Sequence, residues 1–152
     1  MGDWLTREQR SRNMASIRSK GNSTTERVFL SILRHAGISG WRRHLNLPGK
    51  PDFVFRSQRL AIFLDGCFWH GCPRCYRLPQ DNRGYWKKKL IGNRRRDRSR
   101  SRELESLGWR VLRIWEHALK SPRSRSQVLA RVAAILSEQR KQSGQTRSAP
   151  AA

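Results

Sequence analysis

The chain has 152 residues, 36% of them hydrophobic and six of them Trp, which suits one packed domain and excludes a wholly disordered chain. Its 33 Lys and Arg against 11 Asp and Glu leave a formal charge of +22, more than internal pairing can neutralise, so a polyanionic partner is expected, most simply nucleic acid. No apolar run reaches the ~20 residues of a membrane span, and the N-terminus lacks the apolar core of a signal peptide; a cytosolic setting is expected, where clustered thiols bind metal more readily than they pair.

In chain order, Thr6 with Gln9 has the form of a capping box, opening a polar helix to about Ser19. This basic helix or arm (residues 6–20) has few apolar residues beyond Met14 and Ile17. Its Arg10, Arg12, Arg18 and Lys20 suit a surface laid against DNA as well as a merely solvated face. Ser23 and Glu26 repeat the capping pattern; Val28, Phe29, Ile32, Leu33 and Ala36 then recur at helical period until Gly37 stops the helix. Glu26 has a plain reading there as a cap and dipole partner. Trp41–His44 reads as a short strand and Leu47-Pro48-Gly49-Lys50-Pro51 as a turn. Asp52–Phe55 and Leu60–Leu64 read as strands joined by a polar turn, hence an antiparallel hairpin.

Residues 76–84 are loop-like in composition, and a strongly basic helix follows from Tyr85 to about Leu107. Its Lys87-Lys88-Lys89 and Arg94-Arg95-Arg96 clusters suit contact with phosphates. After Gly108, the alternation over Trp109–Trp115 predicts a strand with Trp109 and Val111 on one face and Leu112 and Ile114 on the other. Val128, Leu129, Val132, Ala133 and Leu136 make a closing amphipathic helix. Residues 1–140 are expected to form one domain and 141–152 a disordered tail. This order of elements implies a mixed sheet flanked by helices, an α/β or α+β architecture.

Three groups of side chains carry chemistry. Cys67, Cys72 and Cys75, the chain's three cysteines, are spaced as zinc ligands, and a closed tetrahedral site needs a fourth from His35, His44, His70 or His117. His117, just past a strand end, is the preferred one; the plain alternative is three free thiols. Asp52 and Asp65 fall at one edge of the hairpin, hard oxygen donors of the kind that hold Mg²⁺, although Asp at strand ends also serves turns. His70 stands close by in sequence with a titration range suited to proton transfer. Phe68 and Trp69 sit in the cysteine loop and Trp86 at the start of the basic helix. Rings beside Lys and Arg suit base stacking or insertion between base steps; the alternative is a small core around the metal. Trp86, beyond the loop, is expected to be independent of it.

Pro48-Gly49-Lys50-Pro51-Asp52-Phe53, Gly66-Cys67-Phe68-Trp69-His70 and Gly108-Trp109-Arg110-Val111-Leu112 with Trp115-Glu116 resemble the bacterial very-short-patch repair (Vsr-type) endonucleases. So do Arg12-Asn13-Met14 and Asn93 with Asp97, in order from about residue 6 to about residue 120. The resemblance implies a restriction-endonuclease-like fold with an inserted structural zinc loop. It also implies Mg²⁺-dependent nicking of double-stranded DNA, 5′ of the T in T:G mismatches left by deamination of 5-methylcytosine. The setting implied is a bacterial cytoplasm, at the nucleoid, for a monomer with other mismatch-repair proteins as partners.

Residue by residue, the resemblance makes Asp52 the Mg²⁺ ligand, with the Leu64 backbone supplying another oxygen and Asp65 a further candidate. His70 matches the catalytic histidine, Asp97 the carboxylate that assists it, and Glu26 the acid that reaches the metal-bound waters. Cys67, Cys72, Cys75 and His117 map to the zinc site. Phe68, Trp69 and Trp86 match an aromatic wedge, Met14 the N-terminal element along the DNA, and Asn93 and Lys89 the DNA-facing helix. The Glu-x-Lys of the wider nuclease superfamily is absent, Phe63-Leu64-Asp65-Gly66 standing in its place, so His70 must act where a lysine would. Two other readings share the composition: a same-fold nicking nuclease with a different mismatch or site, and a zinc-stapled DNA-binding protein without catalysis, which would not need both Asp52 and His70.

Overall fold

The computed structural model describes residues 25–145 together with Thr6, Glu8, Gln9 and Arg12, with side chains described as far as residue 138. Within the N-terminal element, the Thr6 N–H donates to Gln9 Oε1 (2.8 Å) and the Gln9 N–H to Thr6 Oγ1 (3.2 Å), so the reciprocal capping box forms. Met14, Ser23 and the residues beyond 145 lie outside the described residues.

Helix α1 spans Glu26–His35 and buries Phe29 and Leu33, with Val28 and Ile32 half-buried beside them. Ala36, counted on the same face, falls beyond the helix and is exposed. Gly37, at φ 67°, ends the helix: its N–H donates to Arg34 O (3.0 Å) and the Ile38 N–H to Leu33 O (2.9 Å). That is the paired closure which needs a left-handed residue at this point.

The sheet has four strands in the order β1-β2-β3-β4: Trp41–Arg43, Phe53–Phe55, Leu60–Asp65 and Arg110–Trp115. β1–β2 and β2–β3 are antiparallel, the latter being the expected hairpin, and β3–β4 is parallel. A parallel pair needs a long crossover, and helix α2 (Arg83–Ser106) supplies it. The 3₁₀ turn Glu116–Leu119 and helix α3 (Pro122–Gln145) complete the described residues, and α3 continues past Lys141, where a tail was expected to begin.

Side chains of β3 alternate between two faces, as the pleat requires. Leu60, Ile62 and Leu64 join Phe29, Leu33, Phe53, Phe55, Leu112, Ile114, Leu119 and Val132 in the main core, under α1 and α3. Ala61 and Phe63 face the other way with Leu104 of α2, backed by Leu47, Trp109 and Val111. The two faces expected for β4 are thus observed. On α3, Val128, Val132, Ile135 and Leu136 reach the core while Ala133 is exposed. Every residue of β3 is buried, which explains its unbroken apolar run and makes Asp65, at its end, conspicuous. Among the described residues no helix is long and apolar enough to cross a membrane.

Candidate active site and metal centre

Asp52 sits at the head of β2, where its N–H donates to Ile62 O (2.9 Å). Its Oδ2 accepts the Leu64 N–H at 2.7 Å, so side chain and backbone together staple the hairpin. Burial pushes the Asp52 carboxyl from 3.8 up to about 6; the Leu64 N–H and Arg113 oppose the rise, and the charges of Glu26 and Asp65 add to it. Glu26 is 2% exposed and is no simple cap. Thr25 makes no side-chain cap bond, and Glu26 Oε2 is paired with Arg43 and with His44 Nε2 (3.0 Å). Ligand atoms of Glu26, His44 and Asp52 lie within 4.8 Å of one another.

β3 ends at Asp65 and the chain turns over α2, bringing His70 beside that helix. His70 Nδ1 lies 2.6 Å from Asp97 Oδ2 and 3.9 Å from Asp65 Oδ1. Burial alone would lower the His70 pKa, but the hydrogen bond to Asp97 and the charges of Asp65 and Asp97 outweigh it and raise it. For Asp97, burial raises the pKa, and the His70 bond and the Arg113 charge outweigh burial and lower it. With Nδ1 held by a carboxylate, Nε2 is the ring nitrogen left for a water or a substrate oxygen. Asp52, Leu64, Asp65, His70 and Asp97 share one open cleft of about 450 Å³, rimmed by Lys50, Arg96 and Arg100.

Both oxygens of Asp65 are occupied. Arg113 Nε donates to Oδ2 (2.6 Å) and Nη2 to Oδ1 (2.8 Å). Sequence reading passed over Arg113, and over Arg43 and His44 as partners of Glu26. The available signal was an arginine inside the strand Trp109–Trp115, on the face that otherwise carries Trp109 and Val111.

Around the cysteines, Cys67 Sγ and Cys72 Sγ each lie 3.4 Å from His117 Nδ1. The four ligand atoms of Cys67, Cys72, Cys75 and His117 are mutually within 4.8 Å. The other histidines face elsewhere: His35 to Ser31, His44 to Glu26, His70 to Asp97. Burial, with the neighbouring thiols, pushes the Cys67 thiol up to about 11. For Cys72, burial is outweighed by the N–H groups of Cys75 and Arg74, which lower it. Three thiols and an imidazole converging without any disulfide fit one zinc ion, which would release the thiol protons. The loop carrying them lies tight on α2: a Cβ at Gly71 would clash with Leu90 Cδ1.

Phe68, Trp69 and Trp86 form one ring cluster. Phe68 is centred 5.2 Å from both Trp69 and Trp86, and Trp69 is 6.3 Å from Trp86. Trp86 is therefore not independent of the cysteine loop, as its place in the sequence had suggested; the loop folds back over the first turn of α2. Phe68 remains exposed at the edge of the cluster, with Tyr85 beyond it. Asn93 Nδ2 donates to Trp69 O (2.8 Å) and Arg94 Nη2 to Gly71 O (2.6 Å), fastening the loop to the helix, while Lys89 stands exposed beside the rings.

A profile described as "DNA mismatch endonuclease Vsr" matches residues 2–77. The type II nicking enzyme V.NaeI of Lentzea aerocolonigenes is 43% identical over 113 residues, which are 71% of this chain and 68% of that protein. The type II nicking enzyme V.XorIIP of Xanthomonas oryzae pv. oryzae is 41% identical over 118 residues, 76% of this chain and 85% of the other. The DNA mismatch endonuclease Vsr of Escherichia coli (strain K12) is 38% identical over 122 residues, 79% of this chain and 77% of its own length.

Proposed function

This chain belongs to the Vsr family of DNA mismatch endonucleases and is a strand-nicking enzyme, and from that premise we propose that it cuts one strand of duplex DNA 5′ of the mispaired T in T:G mismatches left by deamination of 5-methylcytosine. The observation that carries this reading is the His70–Asp97 pair opening into the same cleft as Asp52, next to an aromatic cluster on a basic helix. A protein that only bound DNA would have no use for a half-buried carboxylate in one cleft with a carboxylate-held imidazole.

The oxygen donors fit a hard divalent cation: burial pushes the Asp52 carboxyl up to about 6 and Glu26 and Asp65 crowd it, so its ionised form carries a cost that a bound cation would offset. We assign Mg²⁺ to Asp52 and the Leu64 carbonyl, with Glu26 near enough to order its waters. When bound, Mg²⁺ would stabilise the negative charge that develops on the phosphate. His70 Nε2 takes the proton of the attacking water, and Asp97 holds the ring and stabilises its charged form. The products are a 5′-phosphate and a 3′-hydroxyl. Phe68, Trp69 and Trp86 enter the duplex beside the mismatch, where a wobble pair is easier to unstack. Zinc on Cys67, Cys72, Cys75 and His117 keeps the loop that presents two of these rings. Asn93, Lys89 and, from the N-terminal element, Met14 lie along the DNA. The protein acts as a monomer on chromosomal DNA in the cytoplasm, alongside other repair proteins.

Labelled duplexes bearing T:G, U:G or matched pairs, incubated with and without Mg²⁺, test the reading. A nick 5′ of the mispaired T, only with Mg²⁺, is expected. Equal cutting of matched duplex, or full cutting in chelator, would sink it.

A further inference from the structure

Arg113 stands on β4 opposite Phe63, with its guanidinium carbon 4.6 Å from that ring. Beyond its two bonds to Asp65, its Nη2 lies 3.1 Å from Asp97 Oδ1 and its Nη1 3.4 Å from Ser101 Oγ. Asp97 uses its other oxygen on His70. One side chain thus ties the end of β3 to the middle of α2, at the oxygen pair that orients the histidine. Its nitrogens are taken up by these partners and its face by Phe63, which leaves it poorly placed to grip a phosphate. Arg113 borders the same cleft, where Lys50, Arg96 and Arg100 are the more exposed cations.

We propose that Arg113 is a positioning residue of the nicking site, anchored on Asp65 and holding Asp97 in register with His70 Nδ1. The inference rests on the nicking reading above. Asp65 then belongs to the support of the site and is not a ligand of its cation. A half-buried carboxylate with one oxygen on an imidazole and the other unheld could rotate about its last torsion; the Arg113 contact removes that freedom. Arg suits the task because its planar fork spans two carboxylates, which a lysine ammonium cannot do with the same geometry.

The test combines single-turnover nicking of T:G duplex with NMR of the His70 imidazole, for Arg113→Met and Arg113→Lys, each alone and with Asp97→Asn. Arg113→Met should slow nicking roughly 10- to 100-fold, the scale of a displaced catalytic group, with affinity for the duplex unchanged. Arg113→Lys should recover part of that loss. With Asn at 97 there is no carboxylate left to orient, so Arg113→Met should cost little more. The hydrogen-bonded Nδ1 proton of His70, shifted downfield in the wild type, should vanish in Arg113→Met and persist in Arg113→Lys.

Equal loss from Arg113→Met in both backgrounds would mean that it touches the substrate or merely supports the fold, and would overturn the proposal. So would a His70 proton signal untouched by Arg113→Met. If Arg113→Met fails to fold, Arg113→Lys carries the same comparison of backgrounds. Failure of the wild type to nick T:G duplex would count against the nicking reading itself, and the NMR comparison would still decide the role of Arg113.

Discussion

Burial disfavours the charged form of both Asp52 and His70, and only at His70 do the neighbours overturn it. The Asp52 carboxylate accepts one hydrogen bond, has two neighbouring acids and is pushed to about 6; His70 has Asp97, and its protonated form is favoured. For Asp52 the folded pKa lies above the ordinary 3.8, so the folded chain holds the extra proton. Stability from this source is present below about 3.8 and lost as pH rises through about 6. At pH 8 the ionised group costs on the order of 2–3 kcal/mol. Asp52→Asn keeps an acceptor for the Leu64 N–H and removes that charge. It should therefore abolish nicking yet melt higher than the wild type in chelator at pH 8, with little difference at pH 4. Melting curves at both values check this, and no gain at pH 8 would mean that water reaches the carboxylate. Asp97→Asn removes the hydrogen-bonded carboxylate that, with the charge of Asp65, raises the His70 pKa. The acid limb of the pH–rate profile, where the base must be neutral, should move to lower pH while the plateau falls about 10²-fold. An unmoved limb would take His70 out of the base role. Asp52 and His70 could be singled out from their own stretches of sequence and Asp97 only through the resemblance; the structure lines one cleft with all three. Arg113 was not legible, since its anchor is 48 positions away and only the β3–β4 register brings the two together.

At the scale of elements, what the sequence showed well was what a period governs. The β2–β3 hairpin follows from two short apolar runs about a polar turn, the α1 stop at Gly37 from a single backbone demand and the two faces of β4 from alternation. Helix α2 is the counterexample: of its 24 residues only Leu104 is buried, so no apolar stripe marks its face. Without that stripe, neither the side of α2 that meets the sheet nor the folding of the cysteine loop over its first turn could be read. That contact changes what Trp86→Ala should do. Affinity for T:G duplex should still fall by roughly 1–3 kcal/mol, the value of one base–aromatic stack. Phe68 and Trp69 lose their neighbour as well, so a change in Trp69 fluorescence should report a looser loop. A variant that lost T:G and matched binding alike, with a lowered melting temperature, would make Trp86 a packing residue alone. His117→Ala probes the same unit from its other side: zinc content, about one per chain in the wild type, should drop and the loop loosen. Unchanged zinc and stability would remove His117 from the ligand set.

Over the whole molecule, charge and aromatic contact perform separable tasks. Helix α2 alone carries ten Lys and Arg against three acids, most of them exposed. Such a surface binds any duplex by displacing counterions from its phosphates, and the logarithm of affinity then falls linearly with the logarithm of salt. The ring cluster is uncharged, and its gain at a mismatch comes from the lower cost of unstacking a wobble pair, on which counterions have no bearing. Affinities for T:G and matched duplex should therefore fall along parallel lines from about 50 to 200 mM salt, a loss of about 10³-fold or more for six or more phosphate contacts. Their ratio should stay constant across that range. Lys88→Ala, an exposed position on the helix, should reduce both slopes by about one where it meets a phosphate and leave the ratio alone. Trp86→Ala should close the gap between the lines and leave the slopes alone. Titrations of fluorescently labelled duplexes at four salt concentrations would measure both quantities together. If the T:G line were the steeper, the mismatch would be recruiting extra phosphate contacts, and recognition would belong to the basic surface and not to the rings.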